Sequence, residues 1–306
     1  MNYIDRLATA EDMVSPGISA CQGCTAELVF RSSLKILGEK SIIGVPPGCM
    51  AGAGGGGWDK KSGVKIPATM PLLDNSASLM AGIKAAYRTI DPEVHSIAFA
   101  GDGATADSGL ACLSAAAERR DNIIYICYDN EGYMNTGFQK SGTTPRGAST
   151  TTTPVGKTGR GKLSFKKDVP MMMAIQDAAY VATLSPSHMN DFVAKMEKAA
   201  AIKDGLVYLH ILTACPSGWG IKPHQSIEYL RRAVQSRYFL LYEYRDGQFT
   251  ISGPTKDIKQ LKDVSEFVNG QKRFRHLTEE DIAELRDYSN LRWDLLQRLA
   301  TKLPPA

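Results

Sequence analysis

The sequence contains no stretch of about 18 uncharged apolar residues, the length that a membrane-spanning helix requires. Its opening segment, MNYIDRLATAEDMVSPG, carries charges where an export signal needs an apolar run, so a cytoplasmic location away from membranes is expected. Neither sign of charge dominates: 36 Lys and Arg against 32 Asp and Glu leave a net +4, which makes no demand for nucleic acid. Histidine is scarce, and His95, His188, His210, His224 and His276 lack metal-ligand spacing; they read as surface or structural residues, and none as a catalytic base. Six cysteines without an export signal do not make a disulfide framework, because cytoplasmic thiols stay reduced; metal ligation or burial is expected instead. Repeats and low-complexity linkers are missing too. With 306 residues, 43% of them hydrophobic, the chain is expected to bury a substantial core in one large α/β domain or two small ones.

What is present alternates. Apolar runs at Ser41–Val45, Ser96–Ala100, Ile123–Tyr128, Tyr180–Leu184 and Leu206–Leu212 have the length and composition of buried strands. Between them, Leu79–Ile90, Ser108–Arg119 and Asn190–Ile202 have helical periodicity. Alternation of this kind predicts an α/β fold whose parallel sheet carries helices on both faces. After Gly220 come a helix (Ser226–Ser236), a hairpin with Asp246-Gly247 at its turn, and an amphipathic helix from about Glu279 to Leu299. The expected organisation is thus a main domain over residues 1–220 and a C-terminal α+β extension, 221–306, packing on that domain or on a partner subunit. Met171-Met172-Met173 reads as the start of a buried helix face. The basic run Lys157, Arg160, Lys162, Lys166 and Lys167 reads as a solvated loop, with a partner, an anionic substrate or coenzyme A as the functional alternative.

Chemistry first shows at Gly101-Asp102-Gly103, immediately after one strand and before a helix. Ligands of open α/β sheets gather at the C-terminal ends of strands, where glycines let backbone approach a phosphate and a carboxylate can hold a cation. The next strand runs into Tyr128-Asp129-Asn130-Glu131-Gly132-Tyr133-Met134-Asn135-Thr136-Gly137, so both polar loops should emerge at one sheet edge. Magnesium, which favours octahedral oxygen coordination, suits Asp102, the Asn130 side chain and the Gly132 carbonyl. A tight turn at the glycines and a cap at Asn130 is the plainer reading of either loop alone.

GDG followed by an Asn-containing loop resembles the motif of thiamine-diphosphate enzymes. The stretch YDNEGYMNTGFQKSGTTPRGASTTTTPVGK is more narrowly similar to the pyruvate:ferredoxin oxidoreductase (2-oxoacid:ferredoxin oxidoreductase) family in its separate beta-subunit form, and the likeness runs from Pro16 through Trp219. It implies the thiamine-diphosphate-binding fold, a cofactor site including Gly101, Asp102, Gly103, Asn130, Gly132, Asn135 and Thr136, and magnesium on Asp102, Asn130 and Gly132. Asn135 would then stand beside the diphosphate and the reacting carbon as the catalytic residue.

A second, independent signal lies in the cysteines. Cys21 and Cys24 form a CxxC, Cys49 follows Pro-Pro-Gly, and Cys215 lies just beyond a strand. Four thiolates suit a cubane iron–sulfur cluster or a structural zinc, and spacing does not choose between them. The resemblance chooses iron, mapping 4Fe-4S ligands onto these four. Cys112 and Cys127, in a helical run and a buried strand, read as core.

Together the resemblance implies oxidative decarboxylation of a small 2-oxoacid, with electrons passing singly to the cluster and on to ferredoxin. It also implies inactivity alone: alpha and gamma/delta-type partners would supply the residue activating thiamine, coenzyme A binding and the exit clusters. Two departures bear on substrate. Met50-Ala-Gly-Ala-Gly-Gly-Gly-Gly57 before Trp58 replaces bulkier residues, which makes oxalate a contender beside pyruvate, unless the run is a plain connector. Ile18 stands where related subunits often carry His. Two other readings each use half of the signals. A non-redox thiamine-dependent decarboxylase or carboligase has no need of four cysteines, and a zinc-stapled structural subunit leaves the two glycine-rich loops unexplained.

Overall fold

The structure is a computed structural model and describes residues 2–54 and 63–301. Eight strands form one sheet: β1 Ser41–Gly44, β2 Ala68–Thr69, β3 His95–Gly101, β4 Ile124–Asp129, β5 Tyr180–Leu184, β6 Val207–Leu212, β7 Tyr242–Arg245 and β8 Gln248–Ile251, in the order β2-β1-β3-β4-β6-β5-β7-β8. From β2 through β5 all neighbours are parallel. The hairpin predicted around Asp246-Gly247 forms and adds to this sheet, antiparallel, through Val181 opposite Tyr244. The sheet is therefore mixed, because a two-residue turn can join only antiparallel strands.

Both faces of the sheet are covered, and strand alternation decides what goes where. Ile97 and Phe99 of β3 and Ile124, Ile126 and Tyr128 of β4 face helices Thr25–Leu37 and Met189–Ala201. Ala98, Ala100, Tyr125 and Cys127 face the opposite way, toward Ser76–Tyr87, Leu110–Glu118 and Val169–Ile175. A third core, built on Trp219, Leu230 and Phe267, joins the C-terminal segment to the edge of the main sheet. Phe99 stacks on Tyr128 with centroids 5.0 Å apart and meets Phe30 edge-on at 4.8 Å. Phe99→Ala should therefore destabilise the fold by about 3–5 kcal/mol, visible as a lower denaturation midpoint.

Several boundaries move from those expected. The helix at Leu79–Ile90 runs Ser76–Tyr87, since buried Ser76 and Ala77 carry its inner face further back and Asp91-Pro92 ends it. Ser108–Arg119 begins as a wide π-helical turn, Ala104–Ser108, directly after the GDG loop. The helix Thr25–Leu37 and strand β2 are absent from the elements expected above, although Ala26, Val29, Phe30, Ser33, Leu34 and Leu37 do repeat with helical spacing. Met173 is buried inside Val169–Ile175, and Cys127 is fully buried in β4. Of the glycine run, Ala51–Gly54 is a short helical turn, and the remainder, with Trp58, lies outside the described residues. Among the described residues no helix is long and apolar enough to cross a membrane.

Candidate active site

Four strands that lie side by side, β1, β3, β4 and β6, deliver their following loops to one edge of the sheet. After β1 comes Pro46-Pro47-Gly48-Cys49; after β3, Gly101-Asp102-Gly103; after β4, Asn130 to Asn135; after β6, Ala214-Cys215. Parallel pairing thus brings together segments that are far apart in sequence, as expected at the C-terminal ends of such strands.

Asp102 is buried. Its Oδ2 accepts from the Ser141 hydroxyl at 2.5 Å and lies 2.8 Å from that of Thr143, which fixes the carboxyl plane. The other oxygen, Oδ1, meets the Asn130 amide: one terminal atom of that amide lies 3.0 Å from Asp102 Oδ1 and 2.8 Å from the Gly132 carbonyl oxygen. With NH2 in that position, two hydrogen bonds form. With Oδ1 there, three oxygens converge and a cation is required among them. Cis ligands of an octahedral magnesium with bonds of about 2.0–2.1 Å are separated by roughly 2.9 Å, so the spacing suits that ion. Burial, and after it the charge of Asp129, push the Asp102 carboxyl well above the usual range, a cost that a bound dication would reverse.

Asp129 lies behind Asp102. Thr143 Oγ1 bridges the two carboxylates, donating to one of them and 2.8 Å from each, and Asp129 also accepts from the Glu131 N–H at 2.9 Å. Burial would raise Asp129, but Lys166 at 3.2 Å and His210 at 3.0 Å outweigh it and hold the carboxyl well below its ordinary value. His210 is thus a structural residue, with Tyr208 Oη 2.8 Å from its other nitrogen. Lys157, Arg160 and Lys167 of the basic run are exposed as expected, but two members turn inward: Lys166 pairs with the buried Asp129 and Glu131, and Lys162 donates to the carbonyls of Gly142 and Thr144. Buried carboxylates in the facing loop draw Lys166 inward, because an unpaired buried charge is costly.

A cleft opens between the loops. Gly101, Asp102, Gly103, Asn130, Gly132, Asn135 and Thr136 all line it, as do Cys49, Tyr128 and Met134. Gly103 is required there, since a Cβ would lie 2.4 Å from the Tyr133 ring, whose hydroxyl donates to the Gly103 carbonyl. Asn135 and Thr136 are exposed at the mouth, and Thr136 Oγ1 donates to Gln139 at 2.6 Å.

The cysteines assemble beside the cleft. The Cys24 N–H donates to the Cys21 carbonyl at 3.0 Å, and Thr25 Oγ1 accepts from the Ala214 N–H at 2.7 Å, which pins Cys24 next to Cys215. Gly23, at φ +75°, packs so tightly on Pro223 that a Cβ would stand 2.5 Å from its carbonyl. Cys215 Sγ accepts from the Gly218 N–H at 3.3 Å. Burial first, then the neighbouring Cys215, Cys24 and Cys21, push the Cys49 thiol up to about 12; burial, with Cys24 and Cys21, takes Cys215 to about 11. The four thiols are near enough to act on one another electrostatically, with backbone N–H groups toward Cys24 and Cys215, so that a cation among them would favour their thiolates. Among the described residues, no three His, Cys, Asp or Glu side chains close into a cage for a single ion. Cys49 belongs to both the cleft wall and the thiol group, and Met134, also in the wall, packs against Gly218 beside Cys215.

Sequence reasoning missed Ser141, Thr143, Tyr238, Arg273 and the roles of Lys166 and Trp219. Ser141 and Thr143 carry a local signal, a hydroxyl-rich SGTT soon after the Asn loop. Arg273 and Tyr238 carry none, because their partner Glu131 is more than a hundred residues away.

Residues 58–211 match the thiamine pyrophosphate enzyme C-terminal TPP binding domain. The chain is 43% identical over 283 residues to pyruvate synthase subunit PorB of Methanothermobacter marburgensis, covering 91% of this chain and 95% of that one. It is 40% identical over 288 residues to the beta subunit of NADH-dependent phenylglyoxylate dehydrogenase from Aromatoleum evansii, covering 93% of this chain but 64% of that longer relative. In fold it resembles a 2-oxoglutarate:ferredoxin oxidoreductase from Magnetococcus marinus, with TM-score 0.58, 19% identity, and 76% of this chain and 73% of that chain covered. A thiamine pyrophosphate domain matched across half the chain, with near full-length likeness to PorB, places this protein in the 2-oxoacid:ferredoxin oxidoreductase family as a thiamine-diphosphate-binding beta subunit.

Proposed function

We propose that this chain, assembled with alpha and gamma/delta-type subunits, carries out thiamine-dependent oxidative decarboxylation of a small 2-oxoacid of the pyruvate type and passes the electrons to a 4Fe-4S cluster and then to ferredoxin. The observation that carries this reading is the shared wall. Cys49 lines the cleft that holds Asp102, Asn130 and Gly132, so a carbon centre reacting there has a cluster ligand for a neighbour.

When bound, thiamine diphosphate supplies a nucleophilic carbon for the 2-oxoacid carbonyl and a sink for the electrons released with carbon dioxide. The chain's own residues bind, orient and insulate. Asp102, the Asn130 side chain and the Gly132 carbonyl would hold magnesium against the diphosphate, and Gly101 and Gly103 let backbone approach it. Asn135 and Thr136, at the mouth, would contact the diphosphate, Asn135 beside the reacting carbon. Cys21, Cys24, Cys49 and Cys215 would ligate the cluster, which accepts electrons one at a time.

Residues 1–220 act in this reading as the cofactor domain, with 221–306 as an extension supporting the cleft from behind. A cytoplasmic location goes with this reading, since a reducing compartment keeps ligand thiols available. Coenzyme A would bind through partner chains. Mixing the anaerobic complex with ferredoxin and either pyruvate or oxalate, with and without coenzyme A, tests the reading. Ferredoxin reduction that requires pyruvate and is strengthened by coenzyme A is expected; reduction by oxalate alone would transfer the assignment to the diacid. Decarboxylation with no ferredoxin reduction would contradict the redox role.

A further inference from the structure

Asn130 and Gly132 flank Glu131, whose side chain points away from the cleft into a set of donors drawn from distant parts of the chain. Glu131 is buried and holds φ +68°, a conformation that residues other than glycine keep only where their surroundings enforce it. Its Oε1 accepts from Lys166 Nζ at 2.6 Å and Tyr238 Oη at 2.9 Å, and its Oε2 accepts from Arg273 Nη2 at 2.6 Å. Arg273 does a second thing. Its guanidinium lies 4.3 Å from the centre of the Trp219 ring, and the Trp219 indole N–H donates to the Asn130 carbonyl at 2.9 Å. Arg273 is itself braced, with Nε donating to Gln271 Oε1 at 2.8 Å and its carbonyl accepting from the Ser149 N–H at 2.9 Å. One buried cation therefore grips the Asn130-Glu131-Gly132 loop twice, at the Glu131 side chain and, through Trp219, at the Asn130 backbone.

A buried ion pair contributes little net stability compared with well-packed apolar residues, so stability alone is a weak reason for this arrangement. Orientation is a better one, since the residue clamped in a strained conformation is the one between the two groups that face Asp102. The geometry points to Arg273 and Glu131 as positioning residues, a clamp by which the C-terminal segment sets how tightly the cleft holds a divalent cation and a diphosphate. This rests on the cofactor reading of the cleft given above. Neither residue lines the cleft, and their effect is exerted through Asn130 and Gly132.

The test is a magnesium titration of thiamine diphosphate binding to the assembled, cofactor-stripped complex, made on the parent, Arg273→Met, Arg273→Lys and Tyr238→Phe, each with a thermal unfolding curve. Arg273→Met should raise the magnesium concentration at half-saturation by about tenfold or more, the range for losing a group that orients metal ligands, with turnover recovered at high magnesium. Arg273→Lys should recover part of that shift. Tyr238→Phe removes one uncharged donor and should shift half-saturation about threefold in the same direction with little change in unfolding, which keeps the test valid if Arg273→Met does not assemble. Half-saturation within about twofold of the parent in Tyr238→Phe and in every Arg273 variant that assembles, even with earlier unfolding, would make the pair structural only and overturn the clamp. If the parent itself binds thiamine diphosphate without regard to magnesium, the failure lies with the cofactor reading, and the clamp falls with it.

Discussion

Asp102→Ala is expected to empty the cleft of thiamine diphosphate and to lower turnover of the assembled complex by about 10³-fold. The carboxyl is buried, its Oδ2 is held by Ser141 and Thr143, and its Oδ1 is the oxygen turned toward Asn130 and Gly132. Alanine removes the only carboxylate of the proposed magnesium set and takes from the Ser141 hydroxyl its short acceptor, while Thr143 keeps Asp129. Asp102→Asn, nearly isosteric, separates the two effects: it keeps an acceptor oxygen where Oδ2 meets Ser141 and Thr143 and loses the charge. If charge at the metal is what matters, Asn should resemble Ala in thiamine content after gel filtration while unfolding close to the parent temperature. Retention of thiamine diphosphate by both variants would remove Asp102 from the cofactor site.

Cys49→Ala should produce a different defect. Because Cys49 is shared between the cleft and the thiol group, its loss should abolish ferredoxin reduction by about 10²-fold or more and lower iron content. Thiamine diphosphate should stay bound, since the Asp102, Asn130 and Gly132 groups are untouched. Cys112→Ala is the control: Cys112 sits in Leu110–Glu118 on the opposite face of the sheet, and its iron should be unchanged. Loss of iron in the control, or full ferredoxin reduction by Cys49→Ala, would contradict the assignment.

Much of this was legible in the sequence because the informative features are local. Strand β5 lies where its apolar run predicts, and the Asp246-Gly247 turn makes the hairpin. Asp102 and Asn130 could be placed together because each follows one of two consecutive strands, and those strands are neighbours in the sheet. The approach of Cys215 to Cys49 required the strand order, which puts β1 and β6 on either side of β3 and β4. What sequence could not show was the support behind the loops. Lys166 sits in a basic run that reads as solvated until the buried Asp129 and Glu131 are seen opposite it. Arg273 and Tyr238 belong to a segment with no motif, and only tertiary packing brings them to Glu131.

The central claim is that one chain holds both thiamine diphosphate and a cubane cluster, and cofactor content tests it most directly. Iron, acid-labile sulfide, zinc and thiamine should be measured in the complex purified without oxygen, beside a Cys215→Ala complex to subtract clusters on partner chains. The account predicts a difference of about four iron and four sulfide per chain, with thiamine diphosphate present in both preparations. A difference of one zinc and no sulfide would contradict it, leaving the four cysteines as a structural staple and the electrons without a route through this chain.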